Sequence, residues 1–143
     1  SFFKIHNVGY GVSQVLPIIV DILGRNEINI FAIQQPEVHL HPRAQAAFGE
    51  FLYKITSTYN KYFVVETHSD YLIDRFRLSV HRNKSDKNVD SQVIFFERSE
   101  KGNKIHIIEI NENGQYSEEQ PESFNEFFIK EELELLEIDS LCV

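Results

Sequence analysis

Three short segments of the chain combine glycine, serine, glutamine and histidine residues at the ends of apolar runs. They are residues 7–14, 30–42 and 64–70, which read NVGYGVSQ, IFAIQQPEVHLHP and VVETHSD. Each segment falls where a predicted strand ends or a predicted helix begins, and α/β folds bind their ligands at those positions. The residues themselves therefore predict a nucleotide site.

The first segment carries residues that could hold an anion. Gly9 and Gly11 allow backbone N–H groups to approach a negative group, and Ser13 is predicted to cap the helix that follows. The positive end of that helix, which Gln14 begins, would then face a phosphate. A glycine turn before a capped helix is more often purely structural, so this segment alone leaves both interpretations open.

The second and third segments deliver polar side chains at the ends of two apolar strands. The first of these strands delivers Gln34 and Gln35 at its end, much as a Walker B strand delivers acids for Mg²⁺ and water. His68 follows the next strand and could point at a phosphate. The alternative is that Ser69 caps a helix and His68 is merely hydrogen-bonded.

His39 and His41 are spaced two residues apart and raise the alternative of a metal site. No cysteine lies nearby, and histidines at this spacing are commonly structural, so metal binding by this pair is disfavoured.

The elements that position these segments follow from the apolar periodicity. The pattern predicts a helix over residues 14–23, with Pro17 near its first turn and Gly24 ending it in a left-handed conformation. An apolar, β-branched run predicts a fully buried parallel strand over residues 28–33. Then follow a helix with apolar positions Ala44, Ala47, Phe48, Phe51, Leu52 and Ile55, a strand over residues 62–65 and a helix over about residues 69–80. This order indicates an α/β fold with parallel strands.

The last third of the chain changes in character. Residues 92–98 and 104–110 alternate apolar and polar side chains, and residues 100–103 suit a tight turn, so a β-hairpin is predicted. The tail beyond it mixes phenylalanine and leucine with acids and predicts an amphipathic helix that docks back. We accordingly divide the chain into residues 1–90 and residues 91–143.

Composition narrows the classes of protein that fit. Of 143 residues, 42% are hydrophobic and 25% are charged, which is ordinary for a globular domain. No apolar run is long enough to span a bilayer, nothing at the start resembles a signal peptide, and the single cysteine cannot form an intrachain disulfide. We therefore expect a cytoplasmic protein that does not bind a membrane.

The charge is unevenly distributed. The net charge is −8, and residues 111–143 carry one basic and ten acidic side chains, which suits a protein-binding tail better than a nucleic-acid surface. A basic cluster is formed by Arg75, Arg77, His81, Arg82, Lys84 and Lys87. It is more typical of a solvated helix end than of a nucleic-acid face, and direct nucleic-acid binding is left open.

Taken together, the three segments resemble motifs of the ABC-type ATPase heads of RecF-like and overcoming-lysogenisation-defect (OLD-like) proteins. Gln34 to Pro42 resembles their Walker B and D-loop block. Val8 to Ile18 resembles the signature motif, and Thr67 to Ser69 resembles the switch-histidine segment. The motifs occur in the family's order and approximate spacing over residues 6–80. Phe127 to Glu131 resembles, more loosely, a stretch of one bacterial subgroup.

This resemblance implies a mechanism in which two heads dimerise around two ATP molecules. Ser13 and the backbone around Gly11 would bind the γ-phosphate held by the opposite head. Gln34 falls at the Mg²⁺-supporting position, Gln35 at the catalytic glutamate position, and His68 would contact the γ-phosphate from its own head. The implied site residues are thus Gly9, Gly11, Ser13, Gln14, Gln34 and His68 for the nucleotide, Gln35 and His68 for catalysis, and Gln34 for the metal.

The sequence departs from the family pattern in two ways. No Gly-x-x-x-x-Gly-Lys-Ser/Thr motif occurs, so we expect a fragment whose phosphate-binding P-loop half lies in a missing segment or another chain. Gln34 is neutral where a carboxylate is expected, and an amide supports Mg²⁺ poorly. Either hydrolysis is weak or Gln34 replaces a native carboxylate.

The leading interpretation is part of an ATP-hydrolysing, ABC-type head in bacterial antiviral defence or DNA maintenance, with ATP and Mg²⁺ as cofactors. Its expected partners are a second head and an effector protein or nuclease, and the 143 residues alone are expected to be inactive. One alternative is an ATP-binding switch that dimerises with little hydrolysis, which Gln34 and Gln35 favour. The other is a non-catalytic protein-interaction module, which the acidic tail favours.

Overall fold

A computed structural model describes residues 9–83, 89–99 and 102–124 of the chain. Its elements are α1 (Tyr10–Gly24), β1 (Ile30–Gln34), α2 (Pro42–Tyr59), β2 (Tyr62–Glu66), α3 (Asp70–Arg82), β3 (Ser91–Ser99) and β4 (Gly102–Ile110). They divide into two units: the first comprises residues 1–89 and 112–114, and the second comprises residues 90–111 and 115–143. The α/β class predicted from the sequence is confirmed.

In the first unit, β1 and β2 form a parallel pair whose register runs from Ile30 opposite Tyr62 to Gln34 opposite Glu66. The connection between the two strands is α2, as a parallel pair requires. One face of this sheet meets the core, in which the buried side chains are Ile22 of α1, Phe31 and Ile33 of β1, Phe48, Leu52 and Ile55 of α2, and Leu72 of α3. The helices thus supply the apolar stripe that the sheet needs on that face.

The opposite face of the sheet corrects one prediction. The strand was expected to be buried on both faces, but residues of β1 alternate between exposed and buried. Ile30 is 69% exposed and Val64 of β2 is 67% exposed. The reason is that the described helices contribute apolar side chains to the other face only.

The start of α1 corrects a second prediction. The helix begins at Tyr10 with Gly9 as its N-cap, so Ser13 lies inside the helix and does not cap it. The Ser13 hydroxyl instead donates to the carbonyl of Tyr10 at 2.6 Å. Because the helix starts four residues earlier than predicted, Pro17 also falls in its interior rather than near its first turn.

The end of α1 corrects a third prediction. Gly24 is the last helical residue and Arg25 follows in an extended conformation, so no left-handed glycine ends the helix. The Lys61 ammonium, which is 6% exposed, donates to the carbonyl of Ile22 and, at 2.8 Å, to that of Arg25. A buried cation therefore satisfies carbonyls at the C-terminal end of this helix, where a cation is electrostatically favoured.

The second unit contains the predicted hairpin. β3 and β4 pair antiparallel from Ser91 opposite Ile110 to Ser99 opposite Gly102, which is longer at both strands than the sequence pattern indicated. Ile108 is fully buried, and Phe124 packs its ring against those of Phe95 and Tyr116. Beyond Phe124, the predicted amphipathic tail lies outside the described residues. Within the part of the chain that the structure describes, no helix is long and apolar enough to cross a membrane.

Candidate functional site

The parallel pairing of β1 and β2 brings polar residues together where both strands end. Gln34 and Glu66, the last residues of the two strands, are register partners. The Gln35 backbone N–H donates to the carbonyl of Glu66 at 2.8 Å, and its side-chain Nε2 donates to Glu66 Oε1 at 3.2 Å. We call Gln34, Gln35 and Glu66 the strand-end edge. It gathers both glutamines that the sequence singled out.

A tight turn leads from this edge into α2. Gln35 and His39 both have positive φ angles, of 42° and 65°. Residues other than glycine adopt this left-handed region at an energetic cost, and such strain concentrates at functional sites. Backbone bonds from Val38 to Gln35 and from Leu40 to Glu37 close the turn.

A buried carboxylate connects this turn to the loop that carries His68. Glu37 is 9% exposed, and its Oε1 accepts a hydrogen bond from the backbone N–H of His68 at 2.7 Å. Its other oxygen, Oε2, is buried and has no hydrogen-bond partner among the described residues. Glu37 therefore holds the backbone in place at His68, two residues after the end of β2.

The loop after β2 is organised by Ser69. Its hydroxyl accepts from the N–H of Leu72 at 3.1 Å, so Ser69 caps α3, and it donates to Gln45 Oε1 at 2.6 Å. Gln45 in turn donates to the carbonyl of Leu40 at 2.8 Å. The cap proposed for Ser69 is confirmed, while the His68 side chain is exposed to solvent beside it. An exposed imidazole on a fixed backbone can meet a ligand.

The first residue of α3 has a perturbed acidity. Partial enclosure is the main cause that raises the pKa of the Asp70 carboxyl, and the carboxylate of Asp74, one helical turn further on, adds a smaller contribution in the same direction. The Asp70 carboxyl therefore holds its proton more tightly than a freely solvated aspartate does.

The glycine segment packs against the same turn. A Cβ at Gly11 would lie 2.3 Å from the carbonyl oxygen of His39, so only glycine allows this approach. The Tyr10 ring contacts the His39 ring edge-on, with centroids 4.8 Å apart. Gly9, in contrast, has no atom within 4 Å of such a Cβ. The segment is therefore tied to the residues that follow the strand-end edge.

The side chain of His41 has a structural role at the start of α2. Its Nδ1 accepts from the N–H of Arg43 at 3.2 Å and caps α2. Across residues 9–83, 89–99 and 102–124, no group of three or more histidine, cysteine, aspartate or glutamate side chains is placed to hold a metal ion by itself.

Comparison with known families identifies the family of this chain. Residues 2–74, just over half of the chain, match the model of the family described as "AAA domain, putative AbiEii toxin, Type IV TA system". The chain belongs to this AAA-domain family. Searches of the curated proteins and of the solved structures return no match.

The family match spans all three polar segments and ends within α3 of this AAA domain. The family is one of AAA/ABC-type ATPases, so an ATPase-type function, with use of a nucleotide and usually of Mg²⁺, follows for the domain. The hairpin formed by β3 and β4 lies beyond the matched residues.

The AAA domain brings some of the predicted site residues together and leaves others apart. Gln34 and Gln35 share the strand-end edge, His68 is connected to it through Glu37, and Gly11 touches the intervening turn. The hydrogen bonds and ring contacts of the described residues do not link Ser13 or Gln14 to this edge. The Ser13 hydroxyl is engaged within its own helix.

Sequence reasoning did not single out Glu66 or Glu37 as site residues. The signal for Glu66 was available in principle, because parallel strands end at one edge of a sheet and the last residues of two adjacent strands become neighbours. The register that makes Glu66 the partner of Gln34, and not of Gln35, needed the structure.

The donor set of the edge fits the metal that this family uses. Mg²⁺ takes oxygen ligands and usually binds through one or two carboxylates together with waters and substrate phosphates. The edge offers the Glu66 carboxylate and the amide oxygens of Gln34 and Gln35, and no soft ligand. A site completed by nucleotide phosphate and water is consistent with this small number of protein ligands.

Proposed function

We propose that the chain is the signature, Walker B and switch-histidine part of an ABC-type ATPase head of the RecF-like and OLD-like kind, which dimerises around ATP. The observation that carries this proposal is the parallel strand-end edge, at which Gln34 and Gln35 meet and to which the backbone of His68 is attached through Glu37. A role in bacterial antiviral defence or DNA maintenance is part of the same proposal.

The proposed roles follow from position and chemistry. Gln34 and its neighbours at the edge hold the hydrated Mg²⁺, which supplies charge neutralisation for the phosphates when it is bound. Gln35 orients the attacking water through its amide, and the exposed His68 imidazole contacts the γ-phosphate. Residues Gly9 to Gln14 face the nucleotide of a partner head. There the first turn of α1, which has no side-chain cap, offers backbone N–H groups to phosphate.

No P-loop motif occurs in the 143 residues, so the proposal requires that motif from another segment or another chain. Without the P-loop lysine and its backbone cradle, most phosphate contacts are missing. We therefore expect that the 143 residues alone show no micromolar ATP affinity in calorimetry. Micromolar binding by this chain would mean that it holds the phosphates in another way.

The direct experiment uses the protein that carries this chain together with its P-loop. Light scattering with and without ATP should show an ATP-dependent dimer. Ser13→Arg should abolish that dimer, because a bulky cation would fill the space of the opposing γ-phosphate. His68→Ala should leave dimerisation intact and lower turnover roughly a hundredfold, the usual cost of one transition-state contact. Wild-type association and turnover in both variants would refute the site assignment.

A second candidate function is an ATP-binding switch with little hydrolysis. The neutral side chains of Gln34 and Gln35 favour it, because neither can act as a general base or fully balance the metal charge. A stable ATP-dependent dimer without phosphate release, both in the native protein and in Gln34→Glu, would select the switch.

A further inference from the structure

Glu66 lies where its carboxylate can bind a cation at the strand-end edge. It is the last residue of β2 and the register partner of Gln34. Neighbouring strands lie about 4.8 Å apart, and register partners in a parallel pair direct their side chains to the same face of the sheet. That face is the exposed one, and both Gln34 and Glu66 are exposed on it. A cation beside the Gln34 amide is therefore also beside Glu66.

The hydrogen bond between Gln35 and Glu66 determines how the side-chain amide of Gln35 is oriented. An ionised carboxylate can only accept hydrogen bonds, so Gln35 must turn its NH₂ group toward Glu66 Oε1, which lies 3.2 Å away. The carbonyl oxygen of the Gln35 side chain is consequently not the atom that faces Glu66 Oε1. One residue of β2 thereby both orients Gln35 and brings a negative charge to the edge.

The nearby acids are less suited to that role. Glu37 is buried, with its Oε1 bonded to the His68 N–H and its Oε2 enclosed by protein, so it presents no oxygen to the exposed face of the sheet. Asp70 is the first residue of α3 and lies four residues beyond the end of β2, so it is not a member of the register pair at the edge. Glu66 is an exposed glutamate directly opposite the position at which the sequence has Gln34.

We propose that Glu66 supplies the carboxylate that holds the hydrated divalent cation at this edge, in place of the acid that is absent at Gln34. This inference rests on the proposed function, because it assumes that a nucleotide and its cation bind at the edge. It predicts that the negative charge can be moved across the register pair, from Glu66 to position 34, with the cation site preserved.

The test measures Mn²⁺ binding by electron paramagnetic resonance, in the protein that carries this chain and its P-loop, with a non-hydrolysable ATP analogue present. Glu66→Gln should weaken Mn²⁺ binding at least about tenfold, the scale on which metal sites respond to a lost supporting group. The affinity for the analogue without metal should be unchanged. Combining Glu66→Gln with Gln34→Glu should restore Mn²⁺ binding, because the charge returns on the neighbouring strand.

The matched control is Glu27→Gln, which removes one exposed carboxylate three residues before β1, at the opposite end of the strand. It should leave Mn²⁺ binding unchanged. Restored Mn²⁺ binding in the double variant would also show that Glu66→Gln does not unfold the edge, because an unfolded edge could not bind the cation.

The outcomes separate the two proposals. If the native protein binds the analogue and Mn²⁺ but Glu66→Gln binds Mn²⁺ as tightly, the role of Glu66 is refuted while the proposed function stands. If the double variant stays as weak as Glu66→Gln, the cation does not lie between the two strand ends. If the native protein binds no nucleotide, the proposed function fails and this inference fails with it.

Discussion

The two sheets of this chain place their polar residues in opposite ways. In the parallel pair of five-residue strands, both strands end at one edge, so that Gln34, Gln35 and Glu66 collect there. In the hairpin of nine-residue strands, the chain reverses, and the last residues of β3 and β4 lie at opposite ends of the ladder. Parallel strands thus concentrate polar ends at one edge, and antiparallel strands separate them.

The polar groups also differ in how far they are satisfied. In the hairpin, Glu97 accepts from the Ser123 hydroxyl at 2.6 Å, lies 3.0 Å from His106 Nε2 and lies 3.9 Å from Lys104 Nζ. Near the strand-end edge, Glu37 keeps one buried oxygen without a partner among the described residues, and His68 presents an exposed ring. Side chains that satisfy each other stabilise a fold, whereas a buried oxygen without a protein partner is an exception in native folds and an exposed ring is accessible to a ligand.

The largest expected effect comes from disrupting the packing of α2 against α3 in the unit that contains the parallel pair. A Cβ at Gly49 of α2 would lie 2.1 Å from the carbonyl oxygen of Leu72 in α3. Because this neighbour is backbone, it cannot move aside as a flexible side chain would. Gly49→Ala should therefore lower the free energy of unfolding by about 3 kcal/mol, at the upper end for overpacking. Urea denaturation of the first unit measures the change.

The matched control for this prediction is Gly24→Ala. Gly24 is also helical, but no atom lies within 4 Å of a Cβ built on it. Alanine should be neutral there or stabilise by up to about 1 kcal/mol, because it reduces the entropy of the unfolded chain. Equal stability of the two variants would show that α2 and α3 are not in the close contact described.

A smaller effect is expected from the buried carboxylate beside the edge. Glu37→Ala removes the acceptor of the His68 N–H and leaves that donor without its partner. Hydrogen bonds to charged groups contribute about 1.5–3 kcal/mol, so we expect a loss of about 2 kcal/mol together with faster hydrogen exchange at the His68 amide.

The control for Glu37 is Glu50→Ala in the same unit. Glu50 pairs with Lys54 and Arg75 on the surface, and the hydrogen bond from Lys54 is the main reason that its pKa is lowered. Exposed ion pairs contribute little to stability, so this variant should change both unfolding and His68 exchange only slightly. A His68 amide that exchanges equally slowly in Glu37→Ala would mean that Glu37 does not hold the loop.

The sequence predicted the class and order of these elements because apolar periodicity reports burial directly. It located β1, α2, β2 and α3 to within a few residues, and the cap at Ser69 was considered. It failed at α1, where the ends depend on contacts distant in sequence. The Lys61 ammonium, 39 residues after Ile22, does at the C-terminal end what a left-handed Gly24 was expected to do.

The candidate site was predictable in its parts and not in its connections. The two glutamines and His68 could be proposed from their place after apolar runs. The links between them are the Glu37 and Glu66 carboxylates, and each makes its hydrogen bond across 31 residues of sequence. The order of the strands indicates only that their last residues are neighbours, so the pairing of Glu66 with Gln34 and its bond to Gln35 could be recognised only once the strands were aligned.

The smallest expected effect concerns acid stability of the hairpin, where the polar groups are already satisfied. The hydrogen bond from Ser123 chiefly, and that involving His106 next, lower the pKa of Glu97 below its usual range. A lowered pKa in the folded state means that the stabilisation is fully present above the pKa of an unfolded glutamate, about 4.3, and is lost as the pH falls through the lower folded value. The stability of the second unit should therefore decline as the pH falls below the pKa of an unfolded glutamate and through the lower pKa of Glu97 in the folded protein. The free energy of opening at the buried Ile108 amide, obtained from hydrogen exchange corrected for intrinsic rates, measures this decline.

Two variants decide whether Glu97 causes that decline. Glu97→Gln should flatten it, because an amide does not titrate, and Ser123→Ala should shift it toward higher pH, because the largest contribution to the lowered pKa is removed. Glu109→Gln is the control, since Glu109 is exposed on the other face of β4 and should leave the slope as it is. An unchanged slope in Glu97→Gln would place the acid sensitivity elsewhere in the second unit. The hydrogen bonds of Glu97 would then not be what stabilises the hairpin. The difference between the two sheets in how their polar groups are paired would be supported by Glu37 and His68 alone.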